Sequence, residues 1–166
     1  MMSICPGCGL QFESNDRSLN ERFNVSNAYC QLYGQLSVFT LSLRDKDFIH
    51  QLIVDKYAAQ HSGPKVKPIA TAFALIGIYL TFEKGYTGKQ VQRTHMFLGK
   101  KRTAWPRFNL PQNKSTLTVL DVLQSQESQY EAMIRKWGKS VWKMWQPEHE
   151  NVREFVEQLI NSGTSR

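Results

Sequence analysis

His50-Gln51-Leu52-Ile53-Val54-Asp55-Lys56-Tyr57-Ala58-Ala59-Gln60-His61 reads as one helix, running from about Phe48 to Gln60. Ile53, Val54 and Tyr57 form its apolar side, and His50, Val54, Tyr57 and His61 fall within about 60° of each other on the helical wheel. Asp45 or Asp47 caps its start, and Ser62-Gly63-Pro64 stops it. Upstream, Leu32, Leu36, Phe39 and Leu43 recur at spacings of three and four, which predicts a helix from Ala28 with Asn27 as N-cap. The polar link at Arg44-Asp45-Lys46-Asp47 is short, so the two helices should form an antiparallel hairpin. Downstream, Pro68 to Lys84 predicts a third helix, apolar almost all round and central to the core, ended by Gly85. Its apolar run Ile69–Phe82 is too short for the roughly 20 residues that cross a membrane.

The remaining pattern gives a short basic helix near Gly88–Leu98, a long basic loop, a short helix near Thr118–Leu123, a long helix near Gln126–Trp145 and an amphipathic helix near Asn151–Ile160. Few strand signals compete. The expected fold class is therefore all-α: a single-domain helical bundle of about six helices over residues 1–166, with an N-terminal zinc knuckle. Within it, 1–26 is the knuckle and an irregular arm, 27–98 the helical core, 99–117 the basic loop and 118–161 the C-terminal helices. The composition, 41% hydrophobic and 21% charged, is that of a globular chain.

Cys5-Pro6-Gly7-Cys8-Gly9 has the form of a knuckle in which two thiolates turn toward one metal. Three cysteines leave one unpaired in any disulfide scheme, whereas three thiolates and a histidine complete a tetrahedral zinc site. With no export signal at the start, a reducing cytoplasm is the expected setting. The hairpin chooses among His50, His61, His95 and His149. Cys30 and His61 each lie roughly 22–24 Å from the turn, side by side at the open end, while His50 lies near the turn about 16 Å from His61. The expected ligands of Zn2+ are thus Cys5, Cys8, Cys30 and His61, with His149 the rival for the fourth place. A redox role for Cys5 and Cys8 is disfavoured because no strand precedes the motif. His50 and Asp55, with His149, could form a second polar site, Asp55 orienting a histidine of a neighbouring helix.

The 50–61 run is similar to a block, His-Gln-Leu-x-Val-Asp-x-Tyr-x-x-Gln-His, of a small bacterial family of unknown function. That family also begins Cys-Pro-Gly-Cys-Gly, has a cysteine before Leu-Tyr-Gly (here Cys30, Leu32, Tyr33, Gly34) and carries spaced tryptophans before a histidine (here Trp137, Trp142, Trp145 and His149). The resemblance implies a metal site and names no reaction.

The net charge of +7 is concentrated. Residues 83–114 hold eight Lys/Arg and one acid, and the rest of the chain is neutral. Such a segment suits an anionic partner, and Lys100, Lys101, Arg102, Trp105 and Arg107 are the candidate anion or nucleic-acid patch. Three functions follow from the sequence. One is a non-enzymatic interaction or binding module fastened by structural zinc. Another is a hydrolase-like zinc enzyme with an open metal position, against which stands the absence of His-Glu-x-x-His and of deaminase spacing. The third is nucleic-acid binding through 84–114, for which the sequence holds no recognised motif.

Overall fold

The computed structural model describes residues 1–16, 18–100 and 104–164. It is mostly helical. A two-stranded antiparallel hairpin, β1 (Met2–Ile4) and β2 (Gln11–Glu13), pairs Ser3 with Phe12 and carries the Cys5–Gly9 turn at its tip. Seven α-helices follow among the described residues: α1 (Asn27–Ser42), α2 (His50–Gln60), α3 (Pro68–Lys84), α4 (Gly88–Gly99), α5 (Val119–Gln124), α6 (Tyr130–Met144) and α7 (His149–Thr164). The hairpin lies where an irregular arm was expected, because its strands are only three residues long and carry no alternating signal.

The helix boundaries follow local chemistry. Helix α3 starts with Pro68 in its first turn and ends at Gly85, left-handed at φ 69°. The cap of α1 is Ser26 rather than Asn27: the Ser26 hydroxyl accepts from Tyr29 N at 3.2 Å, while the Asn27 side-chain amide donates to Ser18 Oγ at 2.6 Å. Helix α5 is entered through Thr118, its N-cap, with a Thr118–Asp121 capping box. Glu127–Gln129 and Gln146–Glu148 form 3-10 turns that open α6 and α7.

Helix α2 lies at the centre, packed by α3, α6, α4 and α1. Its burial explains its composition: Leu52, Ile53, Tyr57, Ala58 and Ala59 are core residues, and the polar Asp55, Lys56, Gln60 and His61 are buried with them. Thr40 of α1 meets His50 at one end (Oγ1 to Nδ1, 2.8 Å), and Tyr29 meets His61 at the other (ring centroids 4.5 Å). The α1–α2 pair is therefore the antiparallel hairpin that the short link requires. Between them Arg44 and Phe48 adopt positive φ, 48° and 52°, a conformation that is costly for residues with a Cβ. Gly88, at the start of α4, lies so close to Phe48 O that a Cβ would collide with it, and Lys89 N donates to Asp47 O at 2.8 Å.

Lys56 illustrates how the core is built around α2. Its ammonium donates to Ile134 O at 2.6 Å and lies 6.0 Å from the ring centroids of Phe82 and Trp137. Gly138 on α6 makes the space, since a Cβ there would collide with Lys56 Cε and fall 2.7 Å from Phe82 Cζ. Burial pushes the Lys56 pKa well below its ordinary value. Gly138→Ala should therefore destabilise the fold by about 1–3 kcal/mol despite alanine's better helix propensity. Chemical denaturation of Gly138→Ala, Lys56→Ala and the double variant checks this, and the double should cost less than the sum of the singles.

Candidate metal centre

The Cys5–Gly9 turn closes on itself through Gly9 N to Cys5 O (2.8 Å) and Cys5 N to Leu10 O (2.9 Å), with Gly9 left-handed at φ 77°. The thiols face inward: Cys5 is 0% exposed and Cys8 7%. Each sulfur accepts a backbone N–H, Cys5 from Cys8 and Cys8 from Leu10. Such bonds stabilise thiolates. Interaction with the Cys8 side chain lowers the Cys5 thiol's pKa well below the ordinary thiol value, against the opposing effect of burial. The same interaction and burial push the Cys8 thiol up.

His61 closes the group. It ends α2, where its backbone N–H donates to Tyr57 O at 3.1 Å and its Nδ1 lies 2.7 Å from that same carbonyl. A carbonyl only accepts, so Nδ1 carries the ring proton and Nε2 presents its lone pair. That Nε2 is fully buried and has no hydrogen-bond partner within the protein. The ligand atoms of Cys5, Cys8 and His61 lie within 4.8 Å of one another, and the three could hold a metal ion. An orphaned imidazole lone pair beside two thiols suits zinc, and the Nδ1–H bond to a carbonyl is how ligating histidines are commonly oriented. Gly7 permits this approach, because a Cβ there would collide with Asn24 O and fall 2.7 Å from His61 Cδ2. Asn24 N donates to His61 O at 2.8 Å, and Lys114 Nζ donates to Pro6 O and Gly7 O, each at 2.8 Å.

Cys30, expected as the third thiolate, is not part of the group. Its Sγ lies 2.9 Å from Tyr57 Oη and 3.6 Å from Asn20 Nδ2. The reason is helical geometry: consecutive residues point about 100° apart. Helix α1 turns Tyr29 to His61, and Cys30 therefore points elsewhere. The Tyr29 hydroxyl is already engaged, donating to Gln60 Oε1 (3.2 Å) and accepting from Val119 N (3.0 Å). Gln60 also accepts from Trp137 Nε1 at 3.0 Å and donates to Leu117 O at 2.8 Å. It joins α1, α2, α6 and the segment before α5 directly behind His61. Sequence reasoning missed Tyr29, Gln60 and Lys114. The adjacency of Gln60 to His61 was a signal; nothing marked Lys114.

The proposed polar trio is not assembled. His50 bonds Thr40, whereas His149 stacks on Trp142 (centroids 3.7 Å, 11°) and donates from Nε2 to Trp142 O at 2.7 Å. Asp55 is buried against α3: Oδ1 accepts from Gln51 Nε2 at 3.1 Å, Oδ2 has no partner, and Gly77 leaves the carboxyl its space. Gln51 also lies 3.5 Å from His95 Nδ1, and His95 donates from Nε2 to Phe73 O at 2.9 Å. Burial lowers the His95 pKa to about 4.

Three residues of the expected basic patch, Lys100, Trp105 and Arg107, are among the described residues. Lys100 follows α4, Lys101 and Arg102 lie outside the described residues, and Arg107 is exposed. Trp105 is packed between Phe73 (4.8 Å) and Phe155 (5.9 Å), which removes it as a base-stacking platform.

A model of the family of unknown function DUF5946 matches residues 3–146, and the chain belongs to that family. No curated protein and no solved structure matches it. Among the described residues no helix is long and apolar enough to cross a membrane.

The buried carboxyl of Asp55 yields a pH-dependent prediction. Burial raises its pKa well above the ordinary value, outweighing the opposing effects of Gln51 and Lys56. A raised folded pKa gives stability that is full below the unfolded value near 3.8 and lost as pH rises. Asp55→Asn keeps the acceptor for Gln51 and removes the proton requirement. It should raise the melting temperature at pH 7, with a smaller gain near pH 4, as thermal unfolding at the two pH values would report.

Proposed function

We propose that Cys5, Cys8 and His61 hold a zinc ion, and that the ion staples the N-terminal hairpin to the end of α2. The protein then serves as a binding module on a metal-fixed helical frame. The observation that carries this reading is the buried, unpartnered His61 Nε2 with its tautomer fixed by Tyr57 O, beside two inward-facing thiols. Left without a metal, that lone pair would carry the desolvation cost of an unmade hydrogen bond. Two sulfurs and one imidazole nitrogen favour zinc over magnesium or calcium. Three side chains leave one tetrahedral position, which falls to a small exogenous ligand such as water.

The ion's role is structural. Among the described residues no carboxylate oxygen joins the group. The three donors are almost wholly enclosed, which denies a substrate access. What the ion supplies when bound is rigidity: it links residues more than 50 positions apart, and structural zinc contributes on the order of 10 kcal/mol of apparent binding free energy coupled to folding.

Metal analysis of the purified protein should find about one zinc per chain. His61→Ala and Cys8→Ser should lose the metal and unfold at lower temperature. His50→Ala and Cys30→Ser should keep it. Zinc release by Cys30→Ser alone would restore Cys30 to the ligand set, and release by His50→Ala alone would overturn the centre as drawn. A metal-free wild type that unfolds at the same temperature with and without added zinc would remove the staple altogether.

A further inference from the structure

A cavity of about 960 Å3 lies between the 109–116 segment and the corner where α6 passes into α7. Its size is that of a small-molecule site. The segment is held over it as a strap. Ser115 Oγ meets Ser140 Oγ on α6 at 2.7 Å, and Ser115 N lies 3.2 Å from Met144 Sδ. Asn109 Nδ2 donates to Glu148 Oε1 at 3.0 Å.

The charge of the cavity decides its ligand. Glu148 is the acid of the lining, and it is 5% exposed, with Oε1 taken by Asn109 and Oε2 by Asn151 at 3.1 Å. It has no free oxygen turned to a cation. Two cations line the same space, Lys114 and Lys143, and among the described residues neither has a carboxylate partner. Lys114 uses two of its three N–H donors on the knuckle carbonyls and has one left. Leu110 and Pro147 supply apolar surface to the lining, whereas Trp145 beneath them is fully buried, its indole anchored by Nε1 to Ala59 O at 3.1 Å.

We propose that this cavity binds a small organic anion, its carboxylate or phosphate held by Lys143 and Lys114 and its body lying against Leu110 and Pro147. A strand of nucleic acid fits less well, because Trp105 is packed into its own aromatic cluster. The site is distinct from the metal centre, although Lys114 touches both.

Thermal-shift titration with inorganic pyrophosphate and with citrate, against glucose as a neutral control, tests the assignment on the full chain. At least one anion should give a saturable rise in melting temperature, and glucose none. Lys143→Met should keep its zinc content and weaken the anion by about 10-fold or more, the value of one charge-assisted hydrogen bond. Lys89→Met, which removes an exposed cation of α4 away from the cavity, should change affinity by no more than about twofold at moderate salt. The source of the anionic group is read from which probe binds more tightly. No saturable shift with either anion, wild-type affinity in Lys143→Met, or equal loss in Lys89→Met would each overturn the site. Loss of zinc in Lys143→Met would instead place Lys143 in the frame of the metal centre and overturn its assignment to an anion.

Discussion

The carbonyl of Tyr57 accepts two hydrogen bonds from one residue, the backbone N–H and the Nδ1–H of His61. That double contact ends α2 and turns the imidazole inward. It also assigns the proton to Nδ1 and the lone pair to Nε2. Everything at the N-terminus is arranged around the result. Gly7 has no side chain because His61 fills its space, Asn24 donates to the His61 carbonyl, and the two thiols lie within ligand distance of the ring. An imidazole free to rotate at a frayed helix end would hold none of these groups in place.

The same helix carries the polar groups that organise the core. Asp55, Lys56, Gln60 and His61 are all buried, and helical geometry sends each toward a different neighbour: α3, α6, the Tyr29–Trp137 junction and the knuckle. A buried polar group without a partner costs about 1–3 kcal/mol, so each of these side chains constrains the element it faces. Gly77 and Gly138 are the counterparts on the facing helices, present where a Cβ would collide with Asp55 and Lys56. The core is thereby specified by polar contacts as much as by its apolar packing, and the unpartnered Oδ2 of Asp55 is the point where that specification is left incomplete.

Charge and shape meet on the other side of the molecule. Lys114 fastens the strap to the knuckle while it lines the 109–116 cavity, so one residue joins the Cys5–Gly9 turn to that cavity. The aromatic cluster of Phe73, Trp105, Phe108 and Phe155 anchors the start of the strap. Aromatic residues in a basic loop read from sequence as a nucleic-acid surface. Here they bury hydrophobic area against α3 and α7, and the cations are left to act alone.

Much of the helical pattern was legible because it is local. Hydrophobic spacing, Pro68 and Gly85 place α3, and the short link at 44–47 forces the α1–α2 hairpin and so favours His61 over His50 at its open end. Cys5-Pro6-Gly7-Cys8-Gly9 identifies the knuckle, and the left-handed Gly9 is its local backbone requirement. What the sequence left open depends on rotation about a helix axis and on contacts between distant segments. Tyr29 and Cys30 are adjacent in the chain, and only the packing of α1 on α2 decides that Tyr29 faces His61 and Cys30 faces Tyr57. His149 and Trp105 look available until Trp142 and Phe155 are placed beside them. Lys114, more than 100 residues from the carbonyls it caps, carries no local mark at all. Periodicity fixes which residues share a face, and tertiary packing alone fixes where that face points.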